Sequence, residues 1–131
     1  MKPLTHLVPS AEALPARPSG GTLTTVRPDG SPHVVTVRFT WDADAGLVRV
    51  LTIDTTRKAR NVLGAPGGRA AICQPDGFRW ITLEGTAALS AEPHAVREGA
   101  TRYLARYGTP PPNPPGRVVI EIAVDRVLGI H

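Results

Sequence analysis

The residues best suited to chemistry lie in one short segment, where positions 52–61 read TIDTTRKARN. Its Asp-Thr-Thr triplet consists of residue types that cap helices, so we expect a helix to begin there. Arg57 and Lys58 add positive charge at that start, and Asn61 adds an amide one turn later. Free backbone amides, hydroxyls and cations together bind phosphate. The segment therefore predicts a phosphate site, and the structural alternative is a capped surface helix with solvated basic residues.

Other kinds of catalytic site find little support in the sequence. The four histidines are too far apart to share a metal ion, so no metal site is predicted. Cys73 lies in an apolar run, which favours a small buried side chain over a nucleophile. Neither a nucleophile elbow nor a glycine-rich nucleotide loop is present. No catalytic side chain is identified, and we infer that a bound cofactor carries the chemistry.

Composition limits the class of protein. The 131 residues suffice for one domain, and fifteen basic residues against eleven acidic ones give a modest, scattered positive charge. That charge fits a phosphorylated small molecule better than nucleic acid. Lys58 is the only lysine besides Lys2. A single cysteine, no signal peptide and no apolar run of membrane-spanning length predict a cytoplasmic protein that does not enter the membrane.

The elements that must hold the phosphate segment are mostly strands. Residues 1–20 are expected to form an arm or a short helix, and residues 21–131 a single domain. β-Branched residues, alternating patterns and Pro-Asp-Gly turns predict six strands, at 22–27, 32–41, 47–53, 69–74, 80–89 and 117–124. A short helix is predicted from 57 to 63 and a longer one from 93, and the proline-dense residues 109–116 separate that second helix from the last strand.

The order of these elements favours a barrel. Six short antiparallel strands leave unpaired edges unless the sheet closes on itself. No strand alternates with a long helix, so a parallel doubly wound sheet is not expected. We therefore predict a mainly β fold, a six-stranded antiparallel split barrel with the short helix after the third strand and the longer helix capping one opening. The proline-dense residues are expected to lie at its rim.

Three stretches of the sequence resemble a known family. They are TLTTVRPDGSPHVV at 22–35, RKARN at 57–61 and RWITLEGTA at 79–87. In this order they look like the opening hairpin, the phosphate turn and a later strand of the flavin and deazaflavin oxidoreductases with a pyridoxamine 5′-phosphate oxidase-like, FMN-binding split barrel. The stretches at 31–35, 79–80, 106–107, 109–110, 112–114, 117–121 and 126–129 are more similar to one subgroup, the deazaflavin-dependent biliverdin reductases.

The resemblance implies a homodimer with two cofactor sites at the subunit interface. By position in the motifs, Val35, Thr36 and Val37 would line the cofactor ring. The ribityl chain and phosphate would meet a second group, namely Thr52, Thr56, Arg57, Lys58 and Asn61. Arg79 or Trp80 would come from the other subunit. Arg38 is a candidate for a substrate carboxylate, because a guanidinium pairs well with that group.

The function implied is an enzyme that passes hydride from the reduced deazaflavin coenzyme F420 to a conjugated acceptor, biliverdin or a similar tetrapyrrole. Two alternatives use the same fold. One is an FMN-dependent oxidoreductase, and the other is a carrier that binds haem or flavin without catalysis.

Overall fold

Seven strands and two helices make up the part of the chain that this computed structural model describes, residues 20–130. The strands are β1 (Gly21–Val26), β2 (Pro32–Val37), β3 (Thr40–Asp42), β4 (Leu47–Ile53), β5 (Arg69–Asp76), β6 (Arg79–Ser90) and β7 (Arg117–Ile130). The helices are α1 (Arg57–Leu63), between β4 and β5, and α2 (Pro93–Tyr107), between β6 and β7. The arm or helix predicted for residues 1–20 lies, except for Gly20, outside the described residues and stays a prediction.

All seven strands belong to one antiparallel sheet in the order β2-β1-β5-β6-β7-β4-β3. The two strands at its ends, β2 and β3, follow each other in the chain with only Arg38 and Phe39 between them. The sheet therefore curls until its edges meet. Within residues 20–130 no ladder joins β2 to β4, and this gap is the split of the barrel. The predicted split barrel with two helices is confirmed.

The predicted count of six strands is wrong by one, because the strand expected at 32–41 is two strands. β2 pairs with β1, whereas β3 pairs with β4 at the opposite edge of the sheet. Between them the Tyr107 hydroxyl accepts a hydrogen bond from the Phe39 amide (3.0 Å) and donates one to the Phe39 carbonyl (2.7 Å). A helix residue thus replaces the missing ladder. Apolar and polar residue types keep alternating in the sequence through the break, although burial changes phase at Thr40, so the sequence pattern does not reveal it.

The ends of two other strands also differ from prediction. β5 continues to Asp76 and β7 continues to Ile130, where it pairs with Trp80 of β6. The β6–β7 register shifts between Glu84 and Gly85, where Asp125 of β7 is the extra residue of a β-bulge.

The core is aliphatic apart from one aromatic ring, as the scarcity of aromatic residues predicts. Burying such a side chain contributes about 1.5–3 kcal/mol relative to leaving it exposed. The largest apolar side chains that are almost fully buried are Phe39, Leu23, Ile72, Ile81, Leu83, Ile120, Ile122, Val48, Val50 and Val119. Two of them lie on β4, so the strand that leads into the predicted phosphate segment is firmly held.

Helix α2 is fixed against β3 and β4 by charge and by close packing. The buried Arg49 donates to Asp42 at 2.8 Å, while Arg102 of α2 reaches the same carboxylate at 3.1 Å. Gly99 lets the helix approach β4, since a Cβ at that position would lie 3.1 Å from the Leu51 side chain. The helix therefore stands in a defined position beside β4. Neither described helix is long and apolar enough to cross a membrane.

Candidate functional site

A cleft of about 410 Å³ opens at the split of the barrel. Its walls come from the end of β2, the end of β4, the start of α1, one side chain of α2 and the proline-dense loop before β7. The lining residues are Thr36, Val37, Arg38, Leu51, Thr52, Ile53, Thr56, Lys58, Tyr103, Pro111, Pro112, Pro114 and Arg117. The proline-dense loop thus lies at the rim of the barrel, where the sequence analysis expected it.

The cleft brings together six of the eleven residues proposed from the sequence, namely Thr36, Val37, Arg38, Thr52, Thr56 and Lys58. The other five lie elsewhere on the same chain, namely Val35, Arg57, Asn61, Arg79 and Trp80. The six come from β2 and the residue after it, from β4, and from the cap and first turn of α1. These segments are separate in the chain and meet where the barrel is split. The split therefore creates the site.

The two threonines are hydrogen-bonded to each other rather than left free. The Thr56 hydroxyl donates to the Ile53 carbonyl (3.0 Å) and accepts from the Ala59 amide (3.3 Å) as the cap of α1. Its oxygen also lies 3.0 Å from the Thr52 hydroxyl. Because Thr56 has only one proton, Thr52 is the donor in that pair. Both hydroxyl protons therefore hold the turn together, and the positive charge of the cleft must come from other residues.

Lys58 is the cation at the α1 end of the cleft. Its side chain is half-buried, and this burial lowers the pKa of its ammonium group from the ordinary value of 10.5. No carboxylate of residues 20–130 forms an ion pair with it. A partly buried ammonium without an acidic partner is stabilised when an anion binds beside it. Lys58 therefore fits the phosphate contact that the sequence suggested.

The region around Lys58 is positively charged. Burial, and then the charges of Arg27, Lys58 and Arg57, lower the pKa of His33 from 6.5. An imidazole in such surroundings stays neutral at neutral pH. The positive potential at this end of the cleft therefore extends from α1 to the β1–β2 hairpin.

Asn61 and Arg57 do not line the cleft. Asn61 is only 4% exposed, and its amide donates to the Thr25 hydroxyl of β1 at 3.0 Å. Arg57 donates to the other end of that amide at 3.3 Å. In this structure the two side chains fasten α1 to β1.

Arg38 lines the cleft beside two tyrosines of α2, whereas Lys58 lines it from α1. Its guanidinium donates to the Tyr103 hydroxyl at 2.9 Å and lies 5.8 Å from the centre of that ring. It also lies 5.0 Å from the centre of the Tyr107 ring, close enough for a cation–π contact. Tyr103 lines the cleft, although it was not among the site residues predicted from the sequence. Its helical spacing from Tyr107 was visible, but nothing in the sequence linked it to Arg38, 65 residues away.

Arg117 is a third cation of the cleft and was also missed. It lies opposite Ile53 in the β4–β7 ladder and donates to the Pro112 carbonyl at 3.1 Å. The neighbouring Gly116 accepts a hydrogen bond from the Asp54 amide at 2.9 Å. The loop is thereby tied to the turn that precedes α1. The sequence showed only that Arg117 lies between a proline-dense loop and a strand. The register of the β4–β7 ladder is what places Arg117 beside Ile53.

Val35, Arg79 and Trp80 are placed differently from the cleft residues. Val35 is half-buried on β2, opposite Leu23 of β1. Arg79 and Trp80 begin β6 at the β5–β6 turn, and Phe78 in that turn is 85% exposed. An exposed turn of this kind can contact another molecule.

The charges determine what the cleft can bind. Arg38, Lys58 and Arg117 line it, and none of its lining residues is acidic. The remaining walls are largely aliphatic, aromatic or proline side chains. Such a cleft suits a ligand with an apolar ring system and several anionic groups. Among residues 20–130 no group of three or more His, Cys, Asp or Glu side chains could hold a metal ion.

Comparison with known proteins gives concordant matches. The family described as pyridoxamine 5′-phosphate oxidase matches residues 7–131. The chain is 50% identical over 107 residues to an F420H(2)-dependent biliverdin reductase of Mycobacterium tuberculosis, covering 82% of this chain and 76% of that protein.

Solved structures match over most of the chain. The structure of an F420 reductase matches with a TM-score of 0.70 and 28% identity, covering 89% of this chain and 94% of the other. A putative pyridoxamine 5′-phosphate oxidase of Listeria innocua matches with a TM-score of 0.73 and 17% identity, covering 94% and 97%. The second match shows the fold alone.

Proposed function

This chain belongs to the pyridoxamine 5′-phosphate oxidase family, and from that membership we propose that it is an oxidoreductase that transfers hydride from reduced F420 to a conjugated acceptor. The acceptor we propose is biliverdin or a similar tetrapyrrole. The relative that is 50% identical is named as an enzyme of this activity, and an F420 reductase shares the fold.

One observation carries the proposal: three cations and no acidic residue line a cleft whose other walls are mainly apolar. A coenzyme with a flat ring and a phosphate matches that combination, and so does an acceptor with carboxylates. Lys58, as the half-buried cation at the α1 end, would bind the coenzyme phosphate. Thr36 and Val37 would lie against the ring, with Val35 beside them in β2.

The protein would contribute binding and orientation rather than a nucleophile. Bound reduced F420 supplies the hydride. The β4–α1 turn, held by Thr52 and Thr56, would keep Lys58 in place, while Arg38 beside α2 would face the acceptor. Holding two reactants in one apolar cleft accelerates their reaction, because the entropic cost of bringing them together is met on binding.

We further propose a cytoplasmic homodimer in which the β5–β6 turn of one copy closes the cleft of the other. Phe78 is 85% exposed and Trp80 36% exposed, and neither lines the cleft of its own chain. Large apolar side chains in an exposed turn are typical of a contact surface. Arg79 or Trp80 of the second copy would then reach the coenzyme.

The decisive experiment measures oxidation of reduced F420 by the purified protein in the absence of oxygen, with and without biliverdin. We expect the F420 absorbance to return only when both biliverdin and protein are present. Binding of both compounds without oxidation would favour a carrier. Oxidation of reduced F420 with other acceptors but not with biliverdin would support F420 as the coenzyme and contradict biliverdin as the acceptor.

The FMN-dependent oxidoreductase remains the second candidate, because the family takes its description from pyridoxamine 5′-phosphate oxidase. Titration of the protein with FMN and with F420 separates the two. Tight binding of FMN, with a yellow colour kept through gel filtration, together with weak binding of F420 would favour the alternative.

A further inference from the structure

Arg38 and Tyr103 form a pair of hydrogen-bond donors where α2 meets the cleft, whereas Lys58 belongs to α1. A guanidinium carries five N–H groups. The contacts of Arg38 within residues 20–130 are the hydrogen bond to Tyr103 and the two tyrosine rings, and no carboxylate of those residues pairs with it. Arg38 is exposed to solvent, so its other N–H groups are accessible to a ligand.

Tyr103 adds a neutral donor beside that charge. Its oxygen accepts the hydrogen bond from Arg38, and its own proton meets no acceptor among the hydrogen bonds of the described residues. A phenol can accept and donate at once. Its proton is therefore available to an oxygen atom in the cleft, which Tyr103 lines.

The pair is held in place by α2. Tyr107, whose ring lies under Arg38, makes two hydrogen bonds with the backbone of Phe39, the residue after Arg38. The two tyrosine rings are in contact, with centres 4.8 Å apart. Arg102 in the same helix is anchored to Asp42. A site whose donors are already positioned loses less entropy when it binds.

We propose that Arg38 and Tyr103 form a carboxylate-binding site, separate from the anion position at Lys58, which selects acceptors that carry a carboxylate. A planar guanidinium fork and an adjacent hydroxyl match the two oxygens of that group. The choice of acceptor rests on the proposed function. The chemistry that is recognised, a carboxylate, rests on the Arg38–Tyr103 geometry alone.

The test compares biliverdin with its dimethyl ester, which lacks the carboxylates. Both are titrated against the protein without coenzyme, and binding is followed by their absorbance. We expect the parent to prefer the acid by about tenfold or more, since a hydrogen bond to a charged group has about that effect. Tyr103→Phe, which keeps the ring, and Arg38→Lys, which keeps the charge, should each lose most of this preference. Arg60→Ala removes an exposed charge of α1 outside the cleft and should retain it.

A carboxylate could also come from the coenzyme, so F420 affinity is measured by fluorescence in the same variants. If the two variants lose the acid–ester preference but keep the parent's F420 affinity, the bound carboxylate belongs to the acceptor. A loss of F420 affinity with an unchanged acid–ester preference assigns it to the coenzyme. If both variants keep the parent's acid–ester preference and F420 affinity, the proposal is overturned.

A parent protein that binds neither the acid nor the ester would refute the proposed acceptor but not this site. The site is then tested with glutarate and neutral glutaramide, observed by NMR at the Arg38 Nε–H. A saturable shift with glutarate alone, weakened in Tyr103→Phe, supports the carboxylate site. No shift with glutarate overturns it.

Discussion

Lys58 is the residue whose role the sequence and the structure describe most consistently. It is half-buried in the cleft and has no acidic partner among the described residues. We predict that Lys58→Ala weakens coenzyme binding by roughly ten- to a hundredfold, the value of one hydrogen bond to a charged group. The measurement is a fluorescence titration with F420, and Arg60→Ala is the control for charge. If Lys58→Ala binds F420 as tightly as the parent does, Lys58 does not contact the coenzyme.

Asn61 should affect stability more than binding. Its buried amide joins Thr25 and Arg57, so Asn61→Ala leaves the Thr25 hydroxyl without that partner. We predict a loss of about 1–3 kcal/mol in the free energy of unfolding, the usual cost of an unsatisfied buried group. Urea denaturation measures this loss. A large drop in coenzyme affinity with unchanged stability would instead favour the phosphate contact proposed from the sequence.

At the scale of single residues, positions in one local segment could be predicted to lie at the cleft, whereas residues that reach it through long-range contacts could not. Lys58, Thr52 and Thr56 were identified because they share one short segment. Tyr103 and Arg117 reach the cleft only through the docking of α2 and the β4–β7 register. No local pattern encodes those contacts.

Among the elements, the junction of β2 and β3 depends most on one side chain. Tyr107 satisfies both the amide and the carbonyl of Phe39. We predict that Tyr107→Phe lowers the free energy of unfolding by about 1–3 kcal/mol, because both groups lose their partner. Hydrogen exchange of the Phe39 amide should become faster while core amides of β7 change much less. Unchanged exchange at Phe39 would contradict this role.

The anchor of α2 should make stability depend on pH. Burial would raise the pKa of Asp42, but hydrogen bonds from Arg49 and the Ala45 amide and the charge of Arg102 outweigh it and lower the pKa below 3.8. A carboxyl with a lowered pKa stabilises the fold above its ordinary pKa, and this contribution is lost as pH falls towards the lowered value. We predict that stability measured between pH 6 and pH 3 falls less steeply in Asp42→Asn. Asp44→Asn, at an exposed position, is the control and should follow the parent.

The elements themselves were largely predictable, since alternation and turn residues mark strands locally. The division of residues 32–41 was not, because both strands share one continuous alternating pattern. The break exists because β2 and β3 pair at opposite edges of the sheet, which is a property of the closed barrel.

For the whole molecule, the main prediction is the homodimer. The exposed Phe78 and Trp80 lie outside the cleft of their own chain, so we expect them to meet a second copy. Sedimentation at micromolar concentration should give a dimer, and Trp80→Ala should weaken coenzyme binding without unfolding the barrel. A monomer that binds F420 with full affinity would contradict the shared site.

The split of the barrel also has a mechanical consequence. Sliding β2 away from β4 breaks no backbone ladder in the described part of the chain, whereas separating any other neighbouring strands does. The gap between β2 and β4 is therefore where the barrel wall deforms most easily. The Tyr107–Phe39 hydrogen bonds hold one end of this gap, so the two strands would separate by pivoting about that end. The width of this opening can therefore adjust to the thickness of a bound ligand with little loss of hydrogen bonding.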